Sequence, residues 1–311
     1  MSLQAQPTVH QDPSAFLPAP EISALLESDP RIRAAARHIL ESGQPMGPGL
    51  QLLARARQLQ PDENATVAHP RRVAAFFDID GTLISGSIIQ QMTLQGFKEG
   101  HGTLEGCLQF AACYLLYKLN LIPRINMYRW GYKPCEGHEI QAVQDFVDRC
   151  LEARIKPRVF REAVEAINAH RAAGHLVVAI TGAPDYAAAE LSAYLGLHDV
   201  LATPTPLSED GRITTDVQEP VCYASGKLAY LRAYAARHEI DLTRSFFYSD
   251  SASDIPVLEV VGHPRVVNPQ LMLRPVAWKR GWPVARWNTL RHSGLPVASM
   301  SRALTVPVAR R

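Results

Sequence analysis

Short apolar runs that stop at polar residues recur along the chain and predict buried strands. Residues 73–77 are all apolar and are followed directly by Asp78, with Asp80 two positions later. An unbroken apolar run with a turn signal at its end is typical of a strand that is buried on both faces of a parallel sheet. Later predicted strands, which are mostly apolar, occupy residues 175–180, 200–202, 245–248 and 265–267.

Predicted helices separate these runs. Residues 159–173 and 185–197 form two of them, and Ser225 is expected to cap another that carries Lys227 in its first turn. Strands that alternate with helices at this spacing predict an α/β fold with a doubly wound parallel sheet.

The regions outside this pattern are additions to the core. Prolines among polar residues predict a disordered lead over residues 1–20. Residues 21–60 have apolar residues at helical spacing. This N-terminal section is expected either to pack on the core or to bind a partner. The predicted divisions are a lead and helical extension (1–70), a core (71–84 and 157–287), a helical insert (85–156) and a basic tail (288–311).

The most apolar stretch, residues 104–122, lies within the helical insert. Glu105, Gln109 and Lys118 interrupt it, so its uninterrupted run is shorter than the ~20 residues that a membrane span needs. A buried helix is therefore expected here rather than a membrane span.

Composition narrows the class of protein. The net charge of +2 is too small to indicate a nucleic-acid partner. The five cysteines are scattered without a CxxC pair, which favours reduced thiols in a cytoplasmic protein over disulfides or a zinc site. The first 20 residues lack a basic start followed by an apolar core, so no signal peptide is expected.

The end of the chain has an unusual charge pattern. Residues 271–311 hold eight Lys and Arg, no Asp or Glu, and the tryptophans Trp278, Trp282 and Trp287. A basic, aromatic tail of this kind either makes weak contact with an anionic membrane surface or packs its tryptophans on the core.

Polar side chains collect at the predicted strand ends. The carboxyl ends of parallel strands share one sheet edge, so these polar side chains are expected to lie together. Lys227, at the start of a helix, is expected to join them. The set comprises Asp78, Asp80, Thr181, Asp250 and Asp254. Paired carboxylates at the end of an apolar strand need a cation, and Mg²⁺ prefers oxygen ligands. Such a group suits phosphoryl transfer, in which one carboxylate attacks phosphorus and another moves the proton.

The same residues resemble the four ordered motifs of the haloacid dehalogenase (HAD) superfamily. The motifs are Asp78-Ile79-Asp80-Gly81-Thr82, Thr181, Lys227 and the run from Tyr248 to Asp254. The insert directly after the first motif resembles the helical cap of subfamily IB, which includes phosphoserine phosphatases and histidinol-phosphatase-like proteins. The resemblance implies a HAD-type Rossmannoid core with an inserted all-helical cap.

The resemblance also implies a role for each residue. Asp78 would be the nucleophile and a Mg²⁺ ligand, and Asp80 the general acid and base, with its main-chain carbonyl on the metal. Thr181 and the amide of Gly182 would bind the phosphoryl group, which Lys227 would neutralise. Asp250 would be a metal ligand, and Asp254 would support Lys227 or the water shell of the metal. Ser253 would be a further supporting residue, at a position that is often Asn in the family.

The substrate expected is a small or partly apolar phosphate ester. Phosphoserine phosphatases of the family place a Glu soon after the first motif, whereas residues 85–91 hold no acid and residues 97–117 hold no arginine. A small zwitterion would lose charge-assisted contacts worth about 1.5–3 kcal/mol each. Phosphoserine hydrolysis, transfer of the phosphoryl group to an alcohol, and a catalytically idle scaffold that binds a partner remain the alternatives.

Overall fold

A computed structural model describes residues 48–100 and 124–290, together with residues 112 and 116. Within these residues the chain forms a six-stranded sheet of parallel strands in the order β3-β2-β1-β4-β5-β6. The strands are β1 (Ala74–Phe77), β2 (Leu176–Ile180), β3 (Asp199–Leu201), β4 (Phe246–Ser249), β5 (His263–Val267) and β6 (Val284–Ala285).

Helices precede, connect and cover the strands. In chain order they are α1 (Pro48–Arg57), α2 (Ile88–Lys98), α3 (Arg124–Tyr132), α4 (Ile140–Cys150), α5 (Arg161–Ala172), α6 (Asp185–Tyr194), α7 (Ser225–Arg237), α8 (Ile255–Leu258) and α9 (Leu273–Arg280). α4 continues as one wide turn (Leu151–Ile155) and one tight turn (Lys156–Arg158), and a further tight turn (Ala252–Asp254) leads into α8.

The sheet is the middle layer between two apolar clusters. Successive residues of a strand point to opposite faces, so Ala75 and Phe77 of β1 join one cluster while Ala74 and Phe76 join the other. The first cluster includes residues of α5 and α6, and the second includes residues of α7, α8 and α9. Both faces of β1 are therefore fully buried, which confirms the predicted doubly wound α/β fold.

Within residues 48–100 and 124–290, the predicted elements agree with the structure, with two exceptions. The strands predicted from apolar runs match β1 to β5 within one or two residues. The prediction missed β6, because its two residues are both exposed and form no apolar run. The predicted cap at Ser225 is wrong, since Ser225 is already helical and Ala224, with a φ of 49°, takes the capping position.

The structure describes only part of the N-terminal extension, the insert and the basic tail. In the N-terminal extension, α1 packs on α6 and β3, while residues 1–47 lie outside the described residues. In the insert, residues 88–98 and 124–158 are almost wholly helical, and the apolar stretch at residues 104–122 lies outside the described part except for residues 112 and 116. No helix of the described part is both long and apolar enough to cross a membrane. Of the basic tail, residues 291–311 lie outside the description.

Candidate active site

The carboxyl end of β1 carries the first motif into a tight turn. The amide of Asp78 donates to the carbonyl of Tyr248 at 2.9 Å, which extends the pairing of β1 with β4 by one residue. The amide of Gly81 donates to the carbonyl of Gly86 at 2.9 Å, and the amide of Ile88 donates to Asp80 Oδ1 at the same distance. The turn thus ties Asp80 to the first helix of the insert.

A buried lysine joins two of the predicted carboxylates. Lys227 Nζ donates to Asp78 Oδ1 at 2.7 Å and to Asp254 Oδ2 at 2.9 Å. The Ser249 hydroxyl donates to the same Asp254 oxygen at 2.7 Å. Burial alone would lower the pKa of Lys227, but the charges of Asp254 and Asp78 outweigh it and raise that pKa. Lys227 therefore stays charged, and the two carboxylates are held by one cation.

Asp250 packs against the glycine of the first motif. A Cβ atom on Gly81 would lie 2.3 Å from Asp250 Oδ2, so the site requires glycine there; its φ of 76° also favours glycine. The Gln270 amide donates to Asp250 Oδ2 at 3.0 Å, whereas Asp250 Oδ1 is buried without a hydrogen-bond partner. Sequence reasoning missed Gln270, which follows β5 and carries no motif signal of its own.

The carboxylates of this edge are unfavourable as anions without a further cation. Burial raises the pKa of Asp78 well above its usual value, against the lowering effect of Lys227. Burial also raises the pKa of Asp80, although the Ile88 amide and Ser87 act in the opposite direction. Burial raises the pKa of Asp250 to about 6, which the Gln270 hydrogen bond opposes. A bound divalent cation would favour the ionised form of each group.

The donor set fits the Mg²⁺ that the sequence implies. It offers hard oxygen atoms, and the unpartnered, buried Asp250 Oδ1 is the kind of atom that a cation would satisfy. Across the described part of the chain, no group of three His, Cys, Asp or Glu side chains is placed to hold a metal ion. A cation at this edge would therefore also use a main-chain oxygen and water, as Mg²⁺ commonly does.

The end of β2 supplies a small loop under the insert. Thr181 is buried, and its hydroxyl accepts a hydrogen bond from the Ala183 amide at 3.1 Å. A Cβ atom on Gly182 would lie 3.1 Å from the Tyr128 hydroxyl and 3.2 Å from Tyr223 Cδ2. The Tyr128 hydroxyl of α3 donates to the carbonyl of Gly182 at 3.1 Å. The insert thus contacts the predicted phosphate loop directly through Tyr128.

Two connecting segments join the insert to the core side by side. The amide of Ser85 donates to the carbonyl of Arg158 at 2.8 Å, and the amide of Phe160 donates to the carbonyl of Leu83 at 3.0 Å.

Ser253, the remaining predicted residue, has its hydroxyl 2.9 Å from that of Ser251 and 3.5 Å from Asp254 Oδ1. It therefore supports the turn that carries Asp254.

Comparison with known proteins agrees with this geometry. The family model of the haloacid dehalogenase-like hydrolases matches residues 75–259. The chain belongs to this family. The resemblance predicted from the four motifs is confirmed, and the matched residues include the ends of β1, β2 and β4 and the start of α7.

Several relatives of this HAD protein are known by name or structure. A probable phosphatase of Mycobacterium tuberculosis is 33% identical over 231 residues, which are 73% of this chain and 80% of that protein. A phosphoserine phosphatase of the same species is 28% identical over 251 residues, or 76% of this chain and 80% of that protein. A solved structure of unknown function from Bordetella pertussis Tohama I is 25% identical, with a TM-score of 0.64, and covers 68% of this chain and 97% of its own.

Proposed function

We propose that this HAD protein is a Mg²⁺-dependent phosphomonoester hydrolase that works through an aspartyl phosphate on Asp78. The observation that carries the proposal is the buried ion pair of Lys227 with Asp78 and Asp254 at the edge where β1 and β4 end. The relatives named as phosphatases support the same reaction class.

Each residue of the site has a role in this reaction. A carboxylate oxygen of Asp78 attacks phosphorus, and Asp80 gives a proton to the leaving oxygen. Burial raises the pKa of Asp80, which is the direction that a proton-donating carboxyl group needs. Water then attacks the aspartyl phosphate, Asp80 takes its proton, and Asp78 is restored as inorganic phosphate leaves.

The other residues position and neutralise the phosphoryl group. Thr181 and the amide of Gly182 bind its oxygens, and Lys227 offsets their charge. Asp78, Asp250 and the main-chain carbonyl of Asp80 would hold Mg²⁺. When bound, Mg²⁺ supplies the positive charge that lets an anionic phosphate ester approach these carboxylates.

The substrate that we favour is a small or partly apolar phosphate ester without an ammonium group, rather than phosphoserine. Gln91 of α2 is buried, its amide lies beside Gly86, and its Oε1 has no hydrogen-bond partner. A neutral amide in this region suits a hydroxyl donor on the substrate, whereas an ammonium group pairs better with a carboxylate. The relative named as a phosphoserine phosphatase keeps that substrate as the second candidate.

The test of the reaction is hydrolysis of p-nitrophenyl phosphate by the purified protein. Activity should require Mg²⁺, disappear with EDTA and disappear in the Asp78→Asn variant. Hydrolysis that survives Asp78→Asn would overturn the mechanism, and a folded protein with no activity towards any phosphate ester would favour the scaffold alternative.

The test of the substrate is a panel of glycerol phosphate, lysophosphatidate and phosphoserine. The proposal predicts higher kcat/KM for the first two compounds. Phosphoserine turnover far above both would replace our substrate class without changing the mechanism. An added alcohol that accepts the phosphoryl group in place of water would identify a phosphotransferase.

A further inference from the structure

α9 presents an exposed apolar stripe beside the candidate active site. Leu271 and Met272, just before the helix, are each 77% exposed, and Trp278 is 86% exposed. Leu273 and Ala277 on the opposite side are fully buried and hold the helix on the core. Trp278 is therefore held in place by its helix, and Leu271 and Met272 lie in the turn that leads into it.

The stripe begins next to a residue of the site. Leu271 follows Gln270, whose amide nitrogens donate to the carbonyl of Asp250 at 2.9 Å and to its carboxylate at 3.0 Å. Arg274 and Trp278, four residues apart in α9, share one face of the helix, and Leu271 lies in the turn just before it. A surface that covered this face would lie beside the edge of the sheet that carries Asp250.

The same surface is basic. Arg274 and Lys279 of α9 are exposed, as is Arg286 directly after β6, and no Asp or Glu follows Glu259 in the sequence. Arg280 is the cation that pairs with Glu259. The strand β6, at the edge of the sheet, adds an exposed Val284. Exposed tryptophan among unopposed cations is the composition of surfaces that lie at the boundary of an anionic bilayer.

We infer that this α9 surface, formed by Leu271, Met272, Arg274, Trp278, Lys279 and Arg286, docks on an anionic lipid bilayer. Trp278 and the two residues before the helix enter the interface, and the cations contact lipid phosphates. Charge complementarity favours this occupant, because a bilayer of anionic lipid offers both acyl chains and negative charge. The inference concerns binding alone and does not depend on the proposed reaction.

The experiment is flotation of the full chain with vesicles of phosphatidylcholine, alone or mixed with phosphatidylglycerol. The protein should float with the mixed vesicles and not with phosphatidylcholine alone. Trp278→Ala should weaken partitioning by about tenfold. Lys279→Gln and Arg286→Gln should each weaken it by about fivefold, and added salt should weaken it further.

Matched substitutions elsewhere serve as controls. Trp130 of α3 is also exposed, at 49%, and Arg237 is an exposed cation at the end of α7. Trp130→Ala and Arg237→Gln should leave partitioning unchanged. Asp78→Asn should also bind vesicles like the unchanged protein, which separates this inference from the proposed catalysis.

Three results would overturn the inference. The first is no flotation with the mixed vesicles, and the second is equal flotation with both kinds of vesicle. The third is a protein that does not bind the vesicles but self-associates in sedimentation velocity, with the self-association lost in Trp278→Ala. That result would assign the surface to a second copy of the chain.

Discussion

Arg57 of α1 forms a buried ion pair with Asp185, the first residue of α6, with 3.1 Å between Arg57 Nε and Asp185 Oδ2. The other carboxylate oxygen of Asp185 accepts a hydrogen bond from Thr205, whose hydroxyl lies 3.2 Å from that of Tyr132 on α3. Asp185 therefore links the N-terminal extension, the core and the insert, three residues after Gly182 of the predicted phosphate loop.

Replacing Arg57 by leucine should lower the free energy of unfolding by about 3 kcal/mol or more, because the Asp185 charge would stay buried without its cation. Chemical denaturation measures this change. Arg55→Leu is the control, since Arg55 is 41% exposed and lies 3.8 Å from Asp199. It should cost less than about 1 kcal/mol. Equal losses in the two variants would contradict a special role for the Arg57 pair.

Replacing Lys227 by methionine should abolish hydrolysis and destabilise the metal-free protein by about 3–5 kcal/mol, because Asp78 and Asp254 would then be buried without their shared cation. Activity assays and chemical denaturation in EDTA measure the two effects. Lys98→Met at the exposed end of α2 is the control and should change the stability by less than about 0.5 kcal/mol. A fully stable Lys227→Met protein would refute the electrostatic assignment.

Gly81→Ala should raise the Mg²⁺ concentration for half-maximal activity by about tenfold or more. The new Cβ would lie 2.3 Å from Asp250 Oδ2 and would displace that carboxylate. Gly174→Ala separates this effect from backbone strain, because Gly174 has a similar φ of 73° and nothing within 4 Å of a new Cβ. Both variants should lose about 1–2 kcal/mol of stability. Only Gly81→Ala should change the Mg²⁺ dependence, so a parallel change in Gly174→Ala would count against the site.

Gln91→Glu should raise the kcat/KM for phosphoserine relative to glycerol phosphate by about tenfold, since a buried carboxylate can accept a charge-assisted hydrogen bond from an ammonium group. Steady-state kinetics on both substrates measure the ratio. Gln90→Glu is the control, because the neighbouring Gln90 is exposed and its charge would be screened by water. An unchanged ratio in Gln91→Glu would place Gln91 outside the substrate contact.

Acid should destabilise the protein through His170. Burial lowers the pKa of His170 to about 4, and His175, Arg265 and His263 act in the same direction. Its ring lies 2.9 Å from both the His175 ring nitrogen and the Tyr248 hydroxyl. Because the folded pKa lies below the unfolded value of 6.5, stability is lost as the pH falls from about 6.5 to about 4.

The loss due to His170 should be on the order of 2–3 kcal/mol. Denaturation curves across this pH range measure it, and His170→Phe should flatten the dependence. His69→Phe, at an exposed histidine, is the matched control for the histidine-to-phenylalanine change itself. The assignment would fail if the His170→Phe curve kept the slope of the unchanged protein.

Much of the candidate site could be predicted because its residues are marked by local patterns. Asp78 and Asp250 follow apolar strands, and the common direction of those strands brings them to one edge. Gln270 and Tyr128 could not be predicted in the same way, because each reaches the site by packing against a residue far away in the sequence. Arg57 likewise gives no sequence signal that its partner is Asp185, 128 positions away.

Short-range periodicity and the residues next to strand ends are enough to predict the α/β pattern, the family and the order of the chemical groups. The same patterns do not show which tryptophans of the basic C-terminal region face solvent, because this depends on packing in the folded chain. Trp287 is buried and stacks on Tyr248, whereas Trp278 is 86% exposed. Trp278 and Trp287 both stand among cations in the sequence. They differ because α9 and the segment after β6 pack against the core in ways that expose the first and bury the second.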